Sequence, residues 1–254
     1  MKVFSVVSMK GGVGKTSMVA GLAAALSKKA EVSSVTTFDL DSQNALQWHF
    51  GQASHEAPGL CLQVIKNRPL IDVAFKSDTG VICLPYGSAN EDERLGFEAL
   101  LSEQPDWLKI QLRSLALDDD ALVVIDTPPG PSPYLPQALS CADLAIVILL
   151  PDAASYGTVP AMETYLDEMI PINPHLRSLY VLNQVEEGNL LGSDMVRALG
   201  QHLGERLIPV TIKADEAVRE ALAVQQTVLA YDPHGQASHD MNALATLLLG
   251  SIHR

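Results

Sequence analysis

The chain predicts a doubly wound α/β fold, with a mostly parallel sheet and helices on both of its faces. Three observations carry this. Short, β-branched, almost wholly apolar runs recur along the sequence, as strands covered on both faces require. Stretches of helical period lie between them. The first apolar run leads through a glycine-rich turn into an alanine-rich stretch, a strand–turn–helix unit that builds an anion site at the sheet's C-terminal end.

The elements follow in order. Residues 3–7, Val-Phe-Ser-Val-Val, form the first strand, and residues 16–28 the first helix. Further strands are predicted at 32–38, 81–84, 121–125, 144–150, 178–182 and 207–210. Helices are predicted at 44–50, 91–102, 107–117, 158–169, 193–202, 215–224 and 239–249. Asn90 and Asp215, at the starts of two of these, are good N-cap candidates. The proline-rich stretch 127–136 reads as a loop inside the fold, because strands continue on both sides. With 254 residues and no repeat or linker, the chain is expected to form one domain, residues 1–254.

Composition narrows the function. The net charge of −13 argues against a nucleic-acid or anionic-membrane surface spread over the protein. The three cysteines, Cys61, Cys83 and Cys141, form no CxxC pair and sit in or beside apolar runs. They are expected to be buried reduced thiols of a cytoplasmic protein. The apolar run after Met1-Lys2 is too short for a signal peptide and leads into Lys10, and no run approaches the roughly 20 residues of a membrane span.

Residues 9–17, Met-Lys-Gly-Gly-Val-Gly-Lys-Thr-Ser, read as a phosphate-binding loop. Backbone N–H groups of Gly11, Gly12, Val13, Gly14, Lys15, Thr16 and Ser17 can close around a polyphosphate. Lys15 would reach the β- and γ-phosphates, and the Thr16 hydroxyl would ligate Mg²⁺. Met9 stands where the general pattern has glycine, and with it comes Lys10, well placed to cross to a facing subunit. The strand at 121–125 ends in Asp126, whose carboxylate can hold a Mg²⁺-bound water opposite Thr16. The stiff turn Thr127-Pro128-Pro129-Gly130 follows, placed to sense a γ-phosphate. Asp39 and Asp41 close the second strand and share one side of it. Asp39 suits outer-shell metal contact, and Asp41 suits orienting the attacking water. Asp41 or Ser42 can also cap the helix at 44–50, and the roles can coexist. Asn183 follows the strand at 178–182, where its amide can both donate to and accept from adenine. The run Asn183-Gln184-Val185-Glu186 distantly matches a guanine-reading pattern, but its lysine and aspartate are replaced, which favours ATP.

Residues 10–16, the segment Asp39-Leu40-Asp41-Ser42-Gln43 and the segment Asp126-Thr127-Pro128-Pro129 resemble the deviant Walker motifs of the ParA/MinD family of dimerising ATPases. Ser42 stands where that family usually has proline. Residues 84–87, 126–133, 150–157, 215–221 and 231–237 are further similar to the branch of that family encoded with bacterial cellulose synthases. The resemblance implies a homodimer closed by ATP and Mg²⁺, with Lys10 of each copy reaching the other's nucleotide. It implies slow, switch-type hydrolysis to ADP and phosphate, with Lys10, Lys15 and Asp41 as the catalytic set. Components of the cellulose synthase complex are the implied partners, and a small co-folding subunit is a further candidate. Membrane attachment at the inner membrane would then be indirect.

Two rival functions are weaker. DNA partition needs a basic surface, yet the C-terminal third has only scattered cations such as Arg197, Arg206, Lys213 and Arg219. A membrane-inserting terminal helix wants a basic polar face, and residues 239–249 contain neither Lys nor Arg. That segment is expected to dock on the core. A shared iron–sulfur cluster would need Cys83 and Cys141 to meet at a dimer axis, which their apolar flanks disfavour.

Overall fold

The structure, a computed structural model, describes residues 1–52, 54 and 56–252. Seven strands form one sheet: β1 (Lys2–Val7), β2 (Val35–Asp39), β3 (Phe75–Lys76), β4 (Ile82–Leu84), β5 (Leu122–Asp126), β6 (Leu144–Leu149) and β7 (Arg177–Leu182). Their spatial order is β3-β4-β2-β5-β1-β6-β7, and every pairing is parallel except the edge pair β3–β4. β1 therefore lies between β5 and β6, and the loop that follows it opens at the C-terminal end of the sheet.

Alternation along the strands divides the core into two layers. Phe4 and Val6 of β1, Leu122 and Val124 of β5 and Ile146 and Ile148 of β6 face α1 (Lys15–Leu26) and the C-terminal helices. Those are α8 (Ala217–Ala223), α9 (Val228–Tyr231) and α10 (Gln236–Ile252). On the opposite face Val3, Val123 and Ile125 pack with α2 (Leu60–Ile65), α3 (Glu91–Glu103) and α4 (Trp107–Ser114). Val7, Val147 and Leu149 pack there with α5 (Tyr134–Cys141), α6 (Ala153–Met169) and α7 (Leu190–Leu203). The terminal helix is docked, as expected. Met241 sits against Gly21 of α1, and Leu244, Ala245 and Leu248 are buried.

Several expectations change. Residues 207–210 form no strand; Leu207 makes a single parallel bridge to Tyr180. The Ile208 N–H donates to the Tyr180 carbonyl, but the Leu182 carbonyl accepts from Ile212 rather than from residue 210, so four residues here pass two of β7 and no regular ladder forms. The helix expected at 44–50 is a 3₁₀ turn, Leu46–Phe50. The loop expected at 127–136 ends in α5, with Pro136 in its first turn, where no intrahelical N–H is needed. α6 starts at Ala153 rather than 158, because Asp152 caps it and it continues through Pro160. Asn90 forms a capping box with Glu93, but α8 begins at Ala217. Asp215 instead joins two helix starts, accepting from the N–H groups of Ala217 and Ala237 at 3.0 Å each. The three thiols are free: Cys61 and Cys83 are buried, Cys141 is partly buried, and burial pushes all three up.

Candidate nucleotide site

The loop between β1 and α1 carries two left-handed glycines, Gly12 (φ 73°) and Gly14 (φ 83°). Gly14 is further constrained by space. A Cβ there would lie 2.6 Å from Nδ2 of Asn183, so neither its backbone nor its neighbour admits a side chain. Gly11 and Gly12 are exposed, Val13 is buried, and Lys15, at the start of α1, is 6% exposed. Gly11 packs near Pro129, and the Gly130 N–H donates to the Ser8 carbonyl at 3.0 Å, so the stiff turn after β5 braces the loop.

Three acids lie to one side of the loop, Asp126 at the end of the neighbouring β5, and Asp39 and Asp41 at and just beyond the end of β2. Asp39 and Asp126 are register partners on β2 and β5, and both are fully buried. Both Asp126 oxygens are buried without a hydrogen bond. Burial pushes its carboxyl up to about 7; the nearby Thr16 hydroxyl and Lys15 ammonium draw it down, while Asp41 opposes them. Burial, then the Asp126 and Asp41 charges, push Asp39 well above the usual carboxylate range. Burial lowers the Lys15 ammonium, against the pull of Asp126 and Asp41. The structure brings Lys15, Thr16, Asp39, Asp41 and Asp126 close to one another.

Asp39 is less free than expected. Its Oδ1 accepts from the Asp41 N–H at 3.0 Å and its Oδ2 from the Leu46 N–H at 3.2 Å, so it organises the turn after β2. Asp41 caps no helix; its Oδ1 accepts from the Gln43 N–H in a local turn. Among the described residues no three His, Cys, Asp or Glu side chains form a cation cage. An orphaned buried carboxylate beside a hydroxyl does fit a hydrated Mg²⁺ that takes most of its ligands from phosphate and water.

The other side of the loop is already satisfied. Asn183, at the end of β7, donates from Nδ2 to the Val13 carbonyl at 2.8 Å. One amide proton and the carbonyl remain for a base. Asn183 also lines a cavity of about 330 Å³ with Gly14, Ser17, Met18, Asp215 and Arg219. Lys10 does not extend away from its own chain. Its Nζ lies 2.5 Å from Asp152 Oδ2, while Asp152 Oδ1 accepts from the Ser155 N–H. Partial burial works against the Asp152 charge, but Lys10 and the Ser155 N–H outweigh it and hold its carboxyl low.

Sequence reading missed Asp152, His49 and the cavity wall at 212–219. An acid three residues before Ser155 is a readable cap signal. His49 gave none. It is 4% exposed, its Nε2 lies 3.4 Å from Ser17 Oγ, and burial pushes it down to about 4 against a hydrogen bond with the Gln226 backbone.

Residues 1–249 match the family model described as cellulose biosynthesis protein BcsQ. The chromosome-partitioning ATPase Soj of Thermus thermophilus is 27% identical over 247 residues, covering 96% of this chain and 94% of Soj. BcsQ of Salmonella typhimurium is 24% identical over 257 residues, covering 98% and 94%. The septum site-determining protein MinD of Pyrococcus horikoshii, solved with Mg-ADP, superposes with a TM-score of 0.77 at 20% identity, covering 97% and 95%. A phosphate loop with its extra lysine, two strand-end acids and this whole-length match together place the chain: it belongs to the BcsQ family of ParA/MinD-type P-loop ATPases.

Proposed function

We propose that this chain is a single-domain Mg-ATPase that closes into a homodimer on ATP and serves the assembly or positioning of a cellulose synthase complex. One observation carries the site reading: the buried Asp126 carboxylate, unpartnered and beside Thr16 and Lys15. In this reading the N–H groups of residues 11–17 wrap the phosphates and Lys15 contacts the β- and γ-phosphates. Thr16 would hold Mg²⁺ directly, and Asp126 and Asp39 would hold it through water. The cation supplies charge neutralisation at the phosphate oxygens. Asp41 orients the attacking water, and Lys10 leaves Asp152 to reach the partner copy's nucleotide, acting as a finger in trans. Asn183 contributes its remaining amide groups to the adenine. Hydrolysis is slow because no strong base stands beside Asp41 among the described residues.

The cellulose role rests on the family match and on the BcsQ relatives. No described helix is long and apolar enough to cross a membrane. The reading therefore places the protein in the cytoplasm, held at the inner membrane by synthase components and, as a further candidate partner, a small co-folding subunit. The decisive experiment is co-expression of Asp41→Ala, loaded with ATP, with cellulose-synthase components. Co-purification and no duplex binding at physiological salt are expected. Micromolar, sequence-independent, ATP-dependent DNA binding without co-purification would favour partition, the activity named for the Soj relative. Parallel titration with ATP and GTP tests the base assignment, which fails if GTP binds as tightly.

A further inference from the structure

Two features of the nucleotide-binding end remain without a role. The first is Leu190 and Leu191, the opening residues of α7, which are 84% and 70% exposed. Adjacent leucines this bare cost solubility unless something covers them. They follow β7, and the neighbouring Asn189 and Gly192 line a cleft that also contains Asp152, the residue that holds Lys10. The second is a groove of about 590 Å³ on the other side of the loop. Ser42, Asn44 and Ala45, after β2, form one wall; Ser88 and Ala89, after β4, form another; Leu222 helps to close it. Among the described residues its lining is uncharged, apolar side chains mixed with amides such as Asn44 and Gln225, although the chain carries a net charge of −13.

The sheet order relates the two features. β7 lies on one side of β1, and β2 and β4 lie on the other. Both features sit beyond strand C-termini, at the end where the phosphate loop opens. A two-fold axis passing beside the loop can exchange these sides, bringing the leucines of one copy over the groove of the other. Such a contact is made twice per dimer, as an isologous interface requires. Charge also favours it. Two copies of an acidic chain repel, so faces that meet around the nucleotides gain from an apolar pair set into an uncharged groove.

We infer that Leu190 and Leu191 of one copy dock into the groove between residues 42–45, residues 88–89 and Leu222 of a second copy. This rests on the ATP-dependent pairing proposed above and names the surfaces that make it. The contact also explains why the leucines stand at the start of α7, where core packing gives them nothing.

The test uses two proteins in a Cys141→Ser background, which leaves only the buried Cys61 and Cys83, each with one added surface cysteine, Leu191→Cys or Ser88→Cys. They are treated with a short bismaleimide, with and without Mg²⁺ and a non-hydrolysable ATP analogue. A covalent dimer is expected only in the mixture of the two proteins, and only with the analogue. Self-linking of Leu191→Cys alone would overturn the inference, because it would set the β7 sides against each other. Independently, the double variant Leu190→Asp, Leu191→Asp should bind the analogue normally as a monomer but pair about a hundredfold more weakly by analytical ultracentrifugation. Unchanged pairing of that variant would overturn the docking contact while leaving ATP-dependent dimerisation intact. A parent protein that never pairs with the analogue would overturn both.

Discussion

The two flanks of the phosphate loop differ in how they keep their polar groups. On the β2–β5 side, Asp39 and Asp126 are buried side by side and Asp126 has no hydrogen bond. On the β6–β7 side, Asp152 and Asn183 have partners, one in Lys10 and the Ser155 N–H, the other in the Val13 carbonyl. Buried carboxylate oxygens without a hydrogen bond cost stability even beside the Lys15 ammonium, so the first flank is organised in advance for a further cation. The second flank holds the loop's shape and parks Lys10 within its own chain. Ligand binding should therefore relieve one side and require the other to let go.

The largest effect is expected on the strained side. Lys15→Ala removes the buried ammonium that faces the phosphates, and nucleotide affinity should fall about a thousandfold, roughly 4 kcal/mol, by titration calorimetry. An affinity loss under tenfold would mean that Lys15 serves the acids rather than the nucleotide. Next comes pH. His49 is held neutral when folded, pushed down to about 4, whereas an unfolded histidine takes up its proton near 6.5. Between those values the unfolded state binds more protons, so this contribution is present above pH 6.5 and lost as pH falls toward 4. It amounts to about 3 kcal/mol. Urea unfolding of His49→Gln across this window should show a weaker acid loss than the parent; identical slopes would remove His49 from the account.

A smaller effect distinguishes strain from simple packing. Asp126→Asn should abolish Mg²⁺-dependent nucleotide binding yet raise ligand-free stability by about 2 kcal/mol, seen as a higher Tm, because a desolvated charge is removed. A lower Tm would show that the carboxylate is satisfied and that the contrast between the flanks is false. The smallest effect belongs to the satisfied side. Asp152→Ala loses a helix cap and a partly exposed ion pair, which together contribute about 1 kcal/mol. Chemical denaturation should register that loss while ATP binding by the monomer stays unchanged.

The sequence by itself determined the phosphate loop, the acids at the ends of two strands, the alternating architecture and the docked terminal helix. Each is written in neighbouring residues: a glycine spacing, an apolar run ending in Asp126, a helical period over residues 239–249. Signals of that kind survive without knowing what lies alongside. The tertiary structure decided what local patterns could not contain. Residues 207–210 read well as a strand, but only the pairing with β7 shows that Ile208 to Ile212 run past Tyr180 to Leu182 out of register. Lys10 meets Asp152 across 142 positions, and Asn183 meets Val13 across 170. His49 reaches Ser17 because the turn tied by Asp39 brings it back to α1. These contacts follow from β1 lying between β5 and β6, and that order is set by how the layers bury their apolar faces, which no local period specifies.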